Sequence, residues 1–357
     1  MPDLERLRAR ADDFDAFVAE IGDIKPDWEE TKRSDGIMVR QIKSVEYGEQ
    51  QYQTGDRFTL SLCSKFGIGT SIFYLFDPGE VFERIQMVHP RARIRIVTDG
   101  NKCLAATAPT KSYVEFDTLM AIINRPSRVG NVVSARYTDG VVTTVHMMRE
   151  APWEIGGELF KQAFTLESPI DGYGLPAIYL SLVRESNNTM LTADSKTFRS
   201  EVQLGRSADR PDIPLTRALD TFNNEEGFQA LRQRLDSARE TFASVHECDS
   251  LLKVMTRSVP RNKTEQSQNI YESFMEMTGD VSKKYGIATE DSLSPKKARL
   301  LPMDCSVLDL IFFSMAVTTN HRYFIRNQKP ITQWVGQLID NEYDLEGADD
   351  GPNSDDA

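Results

Sequence analysis

The sequence lacks the cysteine and histidine patterns that define common metal and disulfide sites. It contains four cysteines and four histidines. No cysteine stands in a Cys-x-x-Cys pair or near a spaced histidine pair, so the usual structural zinc sites are excluded. A disulfide framework is not expected in an intracellular chain of this length. We expect buried free thiols that pack as small hydrophobic side chains: Cys63, Cys103, Cys248 and Cys305.

Long apolar runs are also missing. No segment approaches the roughly 18 uninterrupted apolar residues of a membrane-spanning helix. The most apolar stretch, 307–317, is short and contains Asp309. The first residues alternate in charge and have no apolar region of the kind found in secretory signals. We therefore expect a soluble, cytoplasmic protein with no membrane partner.

Recognisable cofactor and catalytic motifs are absent as well. The Gly67–Gly69 step lacks the spacing of a phosphate loop and the third glycine of a dinucleotide-binding turn. The run His246–Asp249 holds four ligand-type side chains, but neighbours on a helix point about 100° apart and cannot converge on one metal ion. No GxSxG elbow marks a nucleophile. We expect no cofactor and no metal, and we favour a binding protein over an enzyme.

Charge is present but segregated along the chain. The net charge is −12, and eight acidic residues with no basic ones lie in 340–357. The remaining body has 46 acidic against 42 basic residues, or −4. Residues 1–35 carry −5, whereas 91–149 carry nine basic and four acidic residues, or +5. We expect a disordered acidic tail at 340–357 and a basic surface within 91–149.

Hydropathy patterns predict an α+β fold. Two Asp-Gly steps, at 99–100 and 139–140, stand between alternating apolar runs and predict β-hairpins over 91–106 and 131–148. Further strands are expected over 36–60, 163–166 and 175–184, and helices near 3–20, 78–88, 116–124, 228–245, 267–285 and 305–325. The expected organisation is an acidic N-terminal helical segment (1–35), an α+β region (36–206) with an antiparallel sheet built from hairpins over about 36–185, a helical region (215–330) packed on that sheet, and the tail (340–357).

A basic strand provides the candidate binding surface. Arg91, Arg93 and Arg95 recur at period two, so on one strand their guanidinium groups leave the same face. Cations interleaved with aromatic rings suit single-stranded nucleic acid, because phosphates take the charge and bases stack on the rings. The candidate nucleic-acid-binding residues are Arg91, Arg93, Arg95, Lys102, Lys111, Tyr113, Arg125, Arg128, Arg136 and Tyr137. The alternative is a solvated sheet face whose cations pair locally with Asp99, Glu115 and Asp117.

Several short motifs over about 55–325 resemble an uncharacterised phage/plasmid-like protein family. They are the runs LSLCSKFGIG (60–69), RIRIV (93–97) with CLAA (103–106), SYVEFD (112–117), IYLSLVRESNNT (178–189), and VLDL (307–310) with AVTTNH (316–321). The chain carries Ser186 where many relatives have cysteine. The resemblance implies the biology of mobile elements, a host-cell cytoplasmic location for a phage-encoded chain, and no established activity.

Three hypotheses follow for the function. The first is a non-enzymatic factor that binds or anneals single-stranded DNA in replication or recombination. The basic hairpin region, the strand-strand-helix order and the acidic tail favour it, because such a tail can occupy a cationic groove or recruit basic protein partners. The second is a viral structural or assembly protein that forms homo-oligomers. The third is an enzyme whose site the sequence does not identify.

Overall fold

The computed structural model describes residues 2–32, 38–125, 130–205, 210–257, 282–290, 299–320 and 329–340. The helices are α1 (Pro2–Arg8), α2 (Asp56–Lys65), α3 (Pro78–Val88), α4 (Phe116–Ile123), α5 (Asp212–Asp220), α6 (Glu225–Glu240), α7 (Val245–Arg257), α8 (Val307–Asn320) and α9 (Lys329–Asp340). The strands are β1 (Phe14–Glu20), β2 (Lys25–Lys32), β3 (Met38–Tyr47), β4 (Gln50–Thr54), β5 (Arg93–Asp99), β6 (Lys102–Thr107), β7 (Gly130–Thr138), β8 (Val141–Met148), β9 (Trp153–Ile155), β10 (Glu158–Pro169), β11 (Ala177–Arg184), β12 (Met190–Thr192), β13 (Arg199–Glu201), β14 (Ile287–Glu290) and β15 (Arg299–Pro302). The predicted α+β class with sheets rich in antiparallel pairs is confirmed.

The chain divides into two compact units. The first unit comprises 1–145, 166–177 and 201–222, and the second comprises 146–165, 178–200 and 223–357. The long strands β8 and β10 each contribute residues to both units, and the organisation expected from the sequence, with ranges 36–206 and 215–330, stays a prediction. Among the described residues, no helix combines the length and the apolar character needed to cross a bilayer.

A six-stranded sheet forms the centre of the first unit. Its order is β1-β5-β6-β4-β3-β2, with antiparallel neighbours except for the parallel pair β4 and β6. The hairpin predicted at the first Asp-Gly step is confirmed, with Gly100 at φ 56°. Phe58 and Leu62 of α2 and Phe82 of α3 are buried in one apolar cluster with Ile94 of β5. The two helices are therefore held by apolar burial against the sheet.

Helix α3 begins where its local sequence predicts. Asp77 accepts a hydrogen bond from the Glu80 backbone N–H, and the Glu80 carboxylate accepts one from the Asp77 N–H, which completes a capping box. Pro78 occupies the first turn, where its missing N–H is not needed. The predicted helix over 78–88 is confirmed.

The N-terminal segment differs from the single helix predicted over 3–20. α1 ends at Arg8, and residues 14–20 form β1, which pairs with β5. The Phe17 ring stacks on Tyr47 at 4.8 Å between ring centroids. Pairing with a distant strand and packing of aromatic side chains therefore outweigh the helical spacing of these residues. The strand pattern expected up to residue 60 likewise ends at Thr54, and α2 follows.

A seven-stranded sheet has the order β12-β11-β10-β8-β7, with β13 beside β11 and β9 beside β10. The first unit holds β7, residues 141–145 of β8 and residues 166–169 of β10. The second unit holds β9, β11 from residue 178, β12 and the remaining parts of β8 and β10. The hairpin predicted at the second Asp-Gly step is confirmed, since Asp139 and Gly140 form its two-residue turn with φ values of 50° and 84°.

The single helix predicted over 228–245 is replaced by two helices, α6 and α7. Asn224 caps α6 by accepting a hydrogen bond from the Gly227 N–H at 2.9 Å, but α6 ends at Glu240. Phe242 leaves the helix and forms a β-bridge with Ser306. The long-range backbone pairing therefore interrupts a pattern that looks continuous in the sequence.

The C-terminal predictions fall partly outside the described residues. This applies to most of the helix expected at 267–285, to 321–325 and to 341–357 of the acidic tail. Asp340 was assigned to the tail, but it is the last residue of α9 and its carboxylate lies 3.1 Å from Arg234 Nη1. The prediction of four buried free cysteines is confirmed.

Candidate functional site

Arg95 does not contribute to an open basic face. Its side chain is buried, and its guanidinium donates hydrogen bonds to the backbone oxygens of Pro109 (3.2 Å) and Lys111 (2.8 Å) and to Thr107 Oγ1 (3.3 Å). The same group stacks on the Tyr113 ring, 4.0 Å from its centroid. Burial lowers the pKa of Arg95. The loop after β6 therefore covers a strand face that period-two spacing predicted to be exposed.

Two further candidate binding residues, Lys102 and Tyr137, already contact acidic side chains of the first unit. Lys102 forms an ion pair with Asp139, and the Tyr137 hydroxyl donates to Asp99 at 2.8 Å. The Arg10 guanidinium lies over the Tyr137 ring, 4.5 Å from its centroid. Burial, and then the hydrogen bond to Asp99, raise the pKa of Tyr137. Both contacts therefore connect a residue at one Asp-Gly hairpin with a residue at the other.

The remaining candidates differ in exposure. Four are exposed: Arg91, Arg93, Lys111 and Arg125. Arg93 lies directly opposite Glu20 in the β1–β5 pair, where opposite charges attract. Arg136 is half-buried, and burial lowers its pKa. Arg128 lies outside the described residues. The structure thus brings only part of the predicted set to the surface.

A buried ion pair that the sequence did not predict lies in the same unit. Asp171 has no exposed surface, and its carboxylate accepts hydrogen bonds from Arg57 Nε (2.6 Å) and Nη2 (3.1 Å). The Asp171 carboxylate also accepts from the Tyr173 N–H at 2.8 Å. Arg57 donates to the Tyr173 carbonyl oxygen and lies over its ring, 5.1 Å from the centroid. Burial raises the pKa of Asp171, and Arg57 opposes that rise.

Glycines allow the loops around Asp171 to approach closely. A Cβ on Gly140 would lie 2.7 Å from Asp171 Oδ2, and one on Gly172 would lie 3.1 Å from Arg95 Nη2. Both glycines have positive φ, which disfavours other residues. The Ile170 N–H donates to the Gly140 carbonyl oxygen at 2.9 Å. The second hairpin turn therefore fixes the position of the Asp171 loop.

Lys111 contacts Arg95, since its backbone oxygen accepts a hydrogen bond from Arg95 Nη2 at 2.8 Å. We call Arg57, Arg95, Lys111 and Asp171 the Arg57 cluster. The Lys111 side chain is exposed at the surface of the protein. Burial of part of the side chain lowers the pKa of Lys111, Asp171 opposes this, and the charges of Arg95 and Arg57 lower the pKa further. Asp171 pairs with Arg57 and acts on Lys111, whereas the carboxylate that acts on Arg95 is Glu115. The cluster has an excess of positive charge at its exposed lysine.

The sequence contains only part of the signal for this cluster. The run Asp171-Gly-Tyr-Gly is visible as a polar turn, and such turns more often shape a loop than bind a ligand. Arg57 stands in an ordinary helical segment, 114 residues from its partner. Within the described residues, no group of three or more His, Cys, Asp and Glu side chains is arranged to hold a metal ion.

Comparison with known proteins does not identify a relative. No family model, no curated protein and no solved structure matches the chain. The resemblance to the phage/plasmid-like family therefore stays a prediction from the motifs.

Proposed function

We propose that this chain binds single-stranded nucleic acid through its first unit, as a non-enzymatic replication or recombination factor of a phage or plasmid. The observation that supports this most is the excess of positive charge in the Arg57 cluster. Lys111 is exposed there, and its pKa is lowered first by partial burial and then by the charges of Arg95 and Arg57, which Asp171 opposes. A bound phosphate would relieve this repulsion and stabilise the ammonium form of Lys111.

The chemistry of the cluster suits a phosphate group of a polynucleotide. Arg57 is held in a fixed position by its two hydrogen bonds to Asp171, and it keeps 24% of its side chain exposed. A fixed guanidinium loses little further conformational entropy when it takes part in binding an anion. Exposed Arg91, Arg93 and Arg125 add positive charge to the same unit. Contacts of this kind act on the backbone phosphates and do not read base sequence.

Two tyrosine rings near the cluster provide surfaces for bases. Tyr113 and Tyr173 are both half-buried, and each has a guanidinium over one face. The guanidinium groups hold the rings in place, so each ring presents its remaining surface without ordering on binding. Aromatic rings beside cations are the usual means by which proteins bind single strands without sequence preference.

Fluorescence anisotropy with a labelled oligothymidine tests the proposal. Removing the Lys111 charge in Lys111→Ala should weaken binding about tenfold and lower the slope of log affinity against log salt by about one. The matched control is Lys43→Ala, which removes an exposed lysine from β3 of the same unit. Equal affinities for the two variants, or no binding at low salt, would contradict the proposal.

A further inference from the structure

The second unit contains a pocket of about 430 Å³ beside the start of α8. Its walls include the charged side chains of Glu158, Arg239, Lys284, Asp304 and Asp309. The rings of Phe242, Tyr285 and Phe312 supply aromatic surface. We call this cavity the α8 pocket. Its volume falls within the range of small-molecule sites in proteins, roughly 300–1,000 Å³.

A glycine turn keeps one wall of the α8 pocket open. Gly156 and Gly157 connect β9 to β10 with φ values of 60° and 79°, as a two-residue hairpin turn requires. A Cβ on Gly156 would lie 3.2 Å from Leu308 and 3.3 Å from Phe312. Any side chain at this position would therefore crowd the pocket wall.

Two of the pocket carboxylates are already engaged inside the protein. Asp309 accepts hydrogen bonds from the Ser306 N–H (3.0 Å) and from Ser306 Oγ (2.6 Å), so the start of α8 is capped by its own side chains. Glu158 Oε2 lies 2.8 Å from Arg184 Nε, which balances its charge. The charge of Glu158 is therefore balanced, whereas Asp309 keeps its negative charge because its partner Ser306 is neutral.

Three exposed charges of the pocket have no such partner. Arg239, Lys284 and Asp304 are exposed, and none of them forms an ion pair with another residue in the part of the chain that the structure describes. Lys284 lies over the Tyr285 ring at 5.2 Å. Within the described residues, Arg239 and Lys284 are therefore available to the anionic group of a ligand, and Asp304 is available to its hydrogen-bond donors.

A buried arginine contacts three residues of the pocket wall. Arg184 has 2% of its side chain exposed, and its guanidinium lies 4.8 Å from the centroid of the Phe312 ring. Its Nη1 donates to the Tyr285 hydroxyl at 3.4 Å, while Nη2 has no hydrogen-bond partner among the described residues. Glu158, Phe312 and Tyr285, which contact this guanidinium, all line the pocket. Glu158 balances the charge of Arg184, so this arginine contributes a hydrogen-bond donor, Nη2, rather than net charge.

Phe242 places an exposed aromatic ring at the pocket. It is 75% exposed, although its backbone is fixed by the bridge to Ser306. A fixed ring of this kind provides a stacking surface for a planar group. Buried Phe312 presents a second aromatic ring in the wall.

We infer that the α8 pocket binds a mononucleotide group. Arg239 and Lys284 take its phosphate, Phe242 stacks on its base, and Asp304 accepts hydrogen bonds from sugar hydroxyls or an exocyclic amine. The ligand is either a free nucleotide or the terminal nucleotide of a strand, since the two share this chemistry.

Isothermal titration with adenosine monophosphate tests the inference in the full chain. Arg239→Ala should weaken binding about tenfold, since it removes one charge-assisted contact to phosphate. Arg232→Ala is the control, because Arg232 stands two turns earlier on α6, over Trp153 at 5.6 Å. Lys284→Ala should weaken binding about as much as Arg239→Ala, whereas its neighbour Lys283→Ala should not. Phe242→Ala should weaken binding of the nucleotide and leave its competition by inorganic phosphate unchanged.

The source of the nucleotide is distinguished by a second titration, with a short oligonucleotide that carries a terminal phosphate. This arm uses the Lys111→Glu background at low salt, in which strand binding by the first unit should be weakened at least about 100-fold and does not mask the pocket. Binding of both ligands, each weakened by Arg239→Ala, supports a strand end. Binding of the free nucleotide alone supports a metabolite. The inference is overturned if neither ligand saturates at millimolar concentration, if Arg239→Ala and Arg232→Ala behave alike, or if inorganic phosphate binds as well as the nucleotide.

Discussion

Arg95 in the first unit and Arg184 in the second are both buried, but different partners satisfy their guanidinium groups. Arg95 donates to two backbone carbonyls and a hydroxyl, and no carboxylate forms an ion pair with it in the described chain. Arg184 has a carboxylate, Glu158, at 2.8 Å but leaves Nη2 without a hydrogen-bond partner among the described residues. Hydrogen bonds to neutral groups satisfy a guanidinium without cancelling its charge. The charge of Arg95 is therefore not cancelled, whereas Glu158 balances that of Arg184; each guanidinium keeps a donor, Arg95 Nε and Arg184 Nη2, without a hydrogen-bond partner among the described residues.

Removing Asp171 should have the largest effect on the stability of the protein, because Asp171 is the carboxylate of the Arg57 cluster that pairs with Arg57. Asp171→Ala leaves Arg57 without its bidentate partner beside two other cations, and we expect a loss of about 3 kcal/mol in the free energy of unfolding. This figure is at the low end for a buried pair because Arg57 is 24% exposed. Urea denaturation followed by circular dichroism measures it. Asp304→Ala, at the exposed carboxylate of the α8 pocket, should change stability little. A similar loss of stability in both variants would contradict the difference that we expect between the Arg57 cluster and the α8 pocket.

Lowering the pH should destabilise the second unit through His146. This histidine is buried, and burial lowers its pKa to about 4. The unfolded chain therefore binds a proton between about pH 6.5 and 4 that the folded chain does not, and stability falls as pH falls through this window, by roughly 3 kcal/mol. Denaturation of the wild type and of His146→Gln across this range isolates the contribution. The assignment fails if both proteins lose stability in parallel.

Glycine substitutions should separate backbone strain from crowding at the α8 pocket. Gly156→Ala and Gly157→Ala both place alanine at positive φ, which costs about 1 kcal/mol. Only Gly156→Ala also meets Leu308 and Phe312, since nothing lies within 4 Å of a Cβ on Gly157. We expect thermal denaturation to show Gly156→Ala as the less stable variant by about a further 1 kcal/mol. Equal losses of stability would show that a side chain at position 156 does not crowd Leu308 and Phe312.

Deleting residues 341–357 should have the smallest effect, and only on nucleic-acid binding. The segment carries seven carboxylates and no basic residue, so its removal should raise the affinity for oligothymidine several-fold at low salt and hardly at physiological salt. Asp340 is retained because it pairs with Arg234. A full-length version of the segment in which the seven carboxylates are replaced by amides is the control for chain length. An affinity that falls on deletion would contradict an electrostatic role for the segment in competing with phosphate.

Local chemistry made several elements predictable from the sequence. Asp139-Gly140 forms a turn because both residues tolerate positive φ, and Asp77 with Pro78 starts α3 because their side chains suit a first turn. The pairing of β1 with β5 was not predictable, since the two strands lie far apart in the chain. Phe242 leaves the helical seam for the same reason, through its bridge to Ser306.

The candidate site depends almost entirely on such long-range contacts. Period-two spacing predicted a shared face for the arginines of β5, but the loop that contains Lys111 folds over Arg95. Arg57 meets Asp171 across 114 residues, and no local pattern joins them. Lys111 was predicted as a binding residue from charge alone. The partial burial and the neighbouring arginines that lower its pKa emerge only from the fold.

Reversing the charge of Lys111 tests most directly whether the Arg57 cluster binds phosphate. Oligothymidine binding is measured over a salt series for wild type, Lys111→Glu and Lys43→Glu, two variants with the same change in net charge. If the Arg57 cluster holds phosphate, Lys111→Glu should lose at least about 100-fold in affinity at low salt and reduce the salt slope, while Lys43→Glu loses only a few-fold. Equal losses for both variants would show that binding follows net charge alone and would contradict a phosphate site at the Arg57 cluster.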